Sequence, residues 1–154
     1  MKQTLAIVIG LAGMAAIAAD VPGYVYWSSG SLKSYEKKLA PKIDANKVAT
    51  QPLGNWGNHL AMIAHREGDG EAELHAKVVD FFLPQGGEAT LIVGGTIVEP
   101  RDTGPGEVRG KAILGGTKQK IVAGDVIRIP QNTPHQVLVE QGKQFTYFVI
   151  KVNQ

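Results

Sequence analysis

From Lys47 to the C-terminus the chain is broken by turn residues at intervals of about ten, and no stretch between them reads as a long amphipathic helix. Glu67-Gly-Asp-Gly70, Pro84-Gln-Gly-Gly87, Arg101 to Gly106, Gly115-Gly116 and Gly124-Asp125 are the interruptions. Nineteen glycines and eight prolines in 154 residues supply them. Between the turns the pattern is that of strands. Asn58 to Arg66 alternates, with His59, Ala61, Ile63 and His65 on one face and Leu60, Met62, Ala64 and Arg66 on the other. Glu71 to His75, Val78 to Leu83, Thr90 to Val98 and Phe145 to Val152 read as further strands. Many short strands with frequent turns close into a small all-β barrel or sandwich. One short helix is predicted, Leu32 to Leu39, capped by Ser29-Gly-Ser31 and stopped by Pro41; it packs on the barrel.

The N-terminus reads as a separate unit. Met1-Lys2-Gln3 is a basic start, Thr4 to Ala15 is almost wholly apolar, and Ala16-Ile17-Ala18 is a small-x-small cleavage site. That pattern predicts a signal peptide over residues 1–18 and a periplasmic or secreted product with no membrane attachment after cleavage. The other reading is an uncleaved membrane anchor, for which the apolar run is short. No cysteine lies near Ala18, so a lipid anchor has no support. Residues 19–46 form a lead-in carrying the helix, and residues 47–154 form one barrel domain.

Composition excludes several functions. Sixteen basic against fourteen acidic residues, with no basic cluster interleaved with aromatics, leaves nucleic acid without an electrostatic footprint. The absence of cysteine rules out disulfides and thiolate chemistry. There is no Gly-x-Ser-x-Gly elbow for a nucleophilic serine. Gly104 to Gly110 is glycine-rich but lacks the Lys-Ser/Thr ending of a phosphate loop.

Gly124-Asp-Val-Ile-Arg-Ile-Pro130-Gln-Asn132-Thr-Pro-His135 delivers one histidine to the end of a tight turn. Val126, Ile127 and Ile129 read as a short buried strand, and Pro130 ends its ladder because it has no N–H. Asn132 tolerates the left-handed backbone that a sharp reversal needs. After Pro134 the chain resumes as a strand whose first residue is His135. The spacing resembles the second motif of the cupin β-barrels, with Asn132 where glycine is usual and Val139 where asparagine often stands. The first cupin motif has its counterpart in Glu73, His75, Asp80 and Gly87. Glu73 stands in place of the first histidine, and Asp80 in place of glutamate. Gly87 to Gly95 resembles a run in small exported bacterial cupins. The resemblance implies an all-β fold, a single cupin jelly-roll β-barrel with one short N-terminal helix.

The candidate site follows. Residues two apart in a strand share a face, so Glu73 and His75 project together. Asp80 joins them only if Ala76-Lys77 makes a bend, as the resemblance implies. Glu73, His75, Asp80 and His135 are the candidate ligands of a divalent transition metal, and iron, manganese, nickel and zinc all suit mixed nitrogen and oxygen donors. Glu73, where it is not a ligand, is the candidate catalytic carboxylate for moving protons. The competing reading makes the histidines hydrogen-bonded structural residues and leaves Glu73 solvated. His65 is either a third imidazole or a surface residue, and His59 is structural or exposed. Arg128, facing inward, would hold a carboxylate substrate by its fork; facing outward, it is a solvated arginine. Tyr147 and Phe82, with Phe145, line the cavity or fill the core. The function expected is metal-dependent binding of a small molecule in the barrel, with oxygenase or isomerase activity. Its alternative is a non-enzymatic periplasmic binding or sensing module without metal. A homodimer is also expected, formed through the apolar closing segment Gln144 to Val152.

Overall fold

A computed structural model describes residues 21–154, so the predicted signal peptide lies outside the described residues. Helix α1 (Ser29–Leu39) begins earlier than predicted because Ser28 is its cap: the Ser28 hydroxyl accepts from the Ser31 amide at 3.1 Å. A 3-10 turn over Ala40–Lys42 holds Pro41 in its first positions and ends the helical segment. No helix among the described residues is long and apolar enough to cross a membrane.

The strands follow in chain order. They are β1 (Val48–Asn55), β2 (His59–Arg66), β3 (Ala72–His75), β4 (Val78–Val93), β5 (Thr96–Val98) and β6 (Arg101–Gly104). Then come β7 (Glu107–Gly110), β8 (Ala112–Leu114), β9 (Thr117–Val122), β10 (Ile127–Ile129), β11 (His135–Leu138) and β12 (Phe145–Asn153). All pair antiparallel. One layer runs β1-β2-β12 and the first half of β4, with β10 on its far side. The second half of β4 joins β9, β11, β3, β7 and β6, and β5 and β8 form a small ribbon.

Strand β4 therefore belongs to both layers. Pro84 to Gly87, predicted as a turn between two strands, lies inside one strand of sixteen residues. Tyr147 pairs with Pro84 and Thr146 with Gly86, leaving Gln85 unopposed as a bulge. A bulge bends a strand without ending it, and it uses the same proline and glycine signals as a turn. Gly87 is required there: its φ is +72°, and a Cβ would run into the Gln144 carbonyl. Arg101 to Gly106, predicted as a loop, contains β6 and the reversal into β7. Asn132 takes the left-handed conformation expected of it, at φ +56°. Val126 is exposed instead of buried, since the strand starts only at Ile127.

The inner faces of the two layers share one apolar cluster, including Phe82, Leu91, Ile129, Val137, Phe145, Tyr147 and Val149. The outer face of β2 is also covered. Ile63 packs there with Ala49 and Leu39 of α1. Strand β12 lies between β2 and β4 with both edges paired, so the predicted contact segment is the centre of its layer and not a free edge.

Candidate functional site

Strand register assembles the polar group. In β3 and β7, Glu73 opposes Arg109 and His75 opposes Glu107. Strand β11 places His135 opposite Glu73, and β12 places Lys151 opposite Asp80. Directly opposed residues project to the same face, so seven strand positions converge on one space. The chain bends at Ala76-Lys77, where the Ala76 amide donates to the Gly106 carbonyl at 2.7 Å, and that bend turns Asp80 inward. The Asn132 amide donates to the His75 carbonyl at 2.8 Å, tying the turn before His135 to the end of β3.

Both imidazoles are buried and oriented from behind. His75 Nδ1 lies 2.6 Å from Glu107 Oε2, and His135 Nδ1 lies 3.0 Å from the Thr133 carbonyl oxygen. Each ring therefore turns Nε2 into the barrel. His75 Nε2 faces Glu73 Oε2 at 3.4 Å, Asp80 Oδ2 at 3.3 Å and Lys151 Nζ at 3.0 Å. His135 Nε2 lies 3.4 Å from Asp80 Oδ2 but out of line for a hydrogen bond. It is the one buried side-chain nitrogen or oxygen without a hydrogen-bond partner among the described residues. The ring centroids are 5.3 Å apart.

The charges are strongly coupled. Burial opposes ionisation of Asp80, but the nearby imidazoles of His135 and His75 and the ammonium of Lys151 hold its carboxyl well below the usual range. Burial likewise works against Glu73, while His75 and Arg109 bring its carboxyl down to about 2. For His75, burial disfavours the charged ring, yet hydrogen bonds to Asp80 and Glu73 raise it to about 9 against the opposing charge of Lys151. Lys151 Nζ donates to both Asp80 oxygens, at 2.9 and 3.0 Å.

Glu73, His75 and His135 present donor atoms within 4.8 Å of one another, a group able to hold a metal ion. Ligands about 2.1 Å from a common ion, at octahedral or tetrahedral angles, stand roughly 3.0–3.4 Å apart. The His75–Glu73 separation of 3.4 Å falls in that range. Anchored Nδ1 atoms on both rings are what a ligating histidine needs behind it. The orphaned Nε2 of His135 adds a lone pair that no protein group uses. The residues fit a divalent ion. Asp80 Oδ2 faces both Nε2 atoms, at 3.3 and 3.4 Å, while both Asp80 oxygens also accept from Lys151.

A cavity of about 200 Å³ adjoins the group. Met62, Phe82, Tyr147 and Val149 line its apolar side, and Arg66, Glu73, Arg109 and Lys151 its polar side. Phe82 and Tyr147 are thus both at the wall and in the core. Arg128 is not part of it. Asp80 and Phe82 point inward with their partners Ile129 and Ile127, so Arg128, between them, is exposed on the opposite face. His65 also points away: it is wholly buried outside the barrel, with Nδ1 2.7 Å from Thr146 Oγ1. His59 stacks on Trp56. Arg66, Glu107, Arg109 and Lys151 are the site residues that sequence reasoning missed. The alternation of Glu107 with Arg109, and of Arg66 with Ala64 and Met62, carried a signal for three of them. Lys151 had none.

No family model matches the sequence, and no curated protein matches it. Solved structures do. The cupin domain of Cnp3 from Schizosaccharomyces pombe is similar with a TM-score of 0.53 at 8% identity, over 74% of this chain and 71% of that one. The DMSP lyase DddQ from Ruegeria pomeroyi has a TM-score of 0.52 at 13% identity, over 77% of this chain and 54% of its own. KdgF from Halomonas sp. has a TM-score of 0.51 at 11% identity, over 70% of this chain and 81% of its own. At such identities the likeness is one of fold.

Proposed function

We propose, on the cupin fold that these neighbours share with the chain, that this protein holds one divalent transition metal between Glu73, His75 and His135 and binds a small molecule in the adjoining cavity. The observation that carries the proposal is His135 Nε2, buried and without a hydrogen-bond partner. A buried polar atom left unpaired costs about 1–3 kcal/mol, a cost that ligation removes. A bound divalent ion would supply Lewis-acid polarisation of a ligand oxygen, the chemistry an isomerase or an oxygenase draws on. The chain's own residues orient and neutralise. Glu107 and the Thr133 carbonyl fix the two rings, and the cavity's apolar wall keeps water from the ligand's body. Glu73 lines the cavity and, where it is not a ligand, would be the carboxylate that accepts a proton from a bound molecule. The leader-like residues 1–18 support a periplasmic or secreted setting.

Elemental analysis of protein purified without chelators tests the metal. Wild type should carry close to one equivalent, and His75→Ala and His135→Ala little. Unchanged metal content in both variants would overturn the proposal.

One observation favours the second reading, a metal-free binding or sensing module. Lys151 already sets an internal cation on Asp80 and beside His75 Nε2. Small-molecule thermal shifts in metal-stripped protein, without turnover in loaded protein, would favour that module.

A further inference from the structure

We infer that the cavity takes a small organic monocarboxylate whose carboxylate is held between the guanidinium groups of Arg66 and Arg109. The inference rests on the reading that the barrel binds a small molecule, and it does not require the metal.

Arg66 is nearly buried, at 9% exposure, yet its fork is under-used. Its Nε donates to the Tyr147 hydroxyl at 3.1 Å. The nearest carboxylate oxygen, Glu73 Oε1, is 3.8 Å from Nη2, beyond hydrogen-bond reach. Among the described residues no acceptor takes the Nη hydrogens of Arg66. Arg109 reaches the same Glu73 from β7, with Nη2 3.5 Å from Oε2, while its Nη1 is spent on the Val108 carbonyl and Glu107. Glu73 thus lies between two guanidiniums and is hydrogen-bonded to neither. A second carboxylate can accept from the free edges of both, the geometry in which arginine forks bind anions best.

The charge count agrees. Lys151 is matched by Asp80, and Glu107 is engaged by His75. Glu73 alone faces Arg66 and Arg109, which leaves one positive charge over at the polar side of the cavity.

The position of Arg66 is built in, independently of Glu73. A Cβ on Gly70 would lie 2.9 Å from its Cζ and Nη1, so the guanidinium lies flat against the Gly70 backbone. That backbone is itself pinned: the Gly70 amide donates to the Val137 carbonyl at 2.8 Å, and its carbonyl accepts from Gln136 Nε2 at 2.8 Å. Only glycine lets the fork settle there. Preorganised donors are what make an anion site selective, because little freedom is lost on binding.

The opposite wall sets the rest of the ligand. Met62, Phe82, Tyr147 and Val149 offer no charge, so the body beyond the carboxylate is apolar. About 200 Å³ is below the usual range for drug-sized ligands and suits a molecule of a few carbons up to one ring.

Acetate, butyrate and benzoate, each against its neutral amide, test this by calorimetry on metal-stripped and metal-loaded protein. The carboxylates should bind at least about tenfold more tightly than the amides, with butyrate or benzoate above acetate. Arg66→Met and Arg109→Met should each weaken carboxylate binding about tenfold or more, and Arg66→Lys should restore only part of it. Equal affinity for acids and amides, unaltered binding in both methionine variants, or no binding of any acid in either metal state would overturn the inference. Should Arg66→Met fold poorly, the more exposed Arg109 decides alone. Metal content read on the same samples separates the two proposals. Carboxylate binding in protein that takes up no metal sinks the metal centre and keeps the anion site; normal metal content with indifferent acids does the reverse.

Discussion

Lys151 is the residue on which the chemistry of the site turns. Its ammonium neutralises Asp80 and stands 3.0 Å from the His75 nitrogen that a metal would use. Two like charges about 4 Å apart repel by roughly 4 kcal/mol at the effective dielectric of a partly buried site. A divalent ion on His75 must therefore displace the ammonium or tolerate it. Lys151→Met should raise metal affinity by about tenfold or more, since even a third of that repulsion is one decade. Competition against a chelating dye measures the change. Weaker binding in the variant would mean that Lys151 supports the metal site and does not rival it. Glu73 shows the same balance from the other side, because one carboxylate faces two arginines and an imidazole.

At the scale of elements, β4 and β3 place the site. Strand β4 crosses from one layer to the other through the Gln85 bulge, with Asp80 and Phe82 before it and Leu91 after it on the inner side. Gly87 permits that crossing. Gly87→Ala meets both a left-handed φ and the Gln144 carbonyl, so it should cost about 2 kcal/mol or more in urea unfolding. Gly142, also at positive φ but with open space around it, provides the control: Gly142→Ala should cost less. Strand β3 has only four residues, and a slip of one would turn Glu73 and His75 out of the barrel together. Its register is held by backbone bonds at its end, from Ala76 to Gly106 and from Asn132 to His75.

For the whole molecule the buried charges set a pH window in the metal-stripped protein. The Asp80 and Glu73 carboxyls lie below their ordinary values of 3.8 and 4.5, so they stabilise the fold above those values. That contribution is lost as pH falls through the acid range. His75 is raised from 6.5 to about 9, so its contribution is complete below 6.5 and disappears as pH rises through about 9. Stability should peak between about pH 5 and 6.5 and fall toward alkaline pH. Urea midpoints across that range measure it, and His75→Gln should flatten the alkaline fall. A midpoint that rises between pH 6.5 and 9 would contradict the assignment.

Turn residues at short intervals and alternating strands fix the all-β class from local chemistry alone. The Gly124 to His135 spacing likewise fixes a left-handed Asn132 and a histidine at the head of a strand, because backbone sterics act over a few residues. Pairing and side selection are different in kind. Strand β2 alternates cleanly, yet both its faces are buried, one by the barrel and one by α1, so its pattern gave no ground for choosing Arg66 over His65. Arg128 sits between the half-buried Ile127 and the buried Ile129, and only its register against β4 turns it outward. Lys151, Glu107 and Arg109 enter the site through partners 71, 32 and 36 residues away in the chain. Local chemistry determined that this chain makes strands and where they reverse. Which side chains share the interior was decided by tertiary pairing, since a strand's two faces become unequal only once something covers one of them.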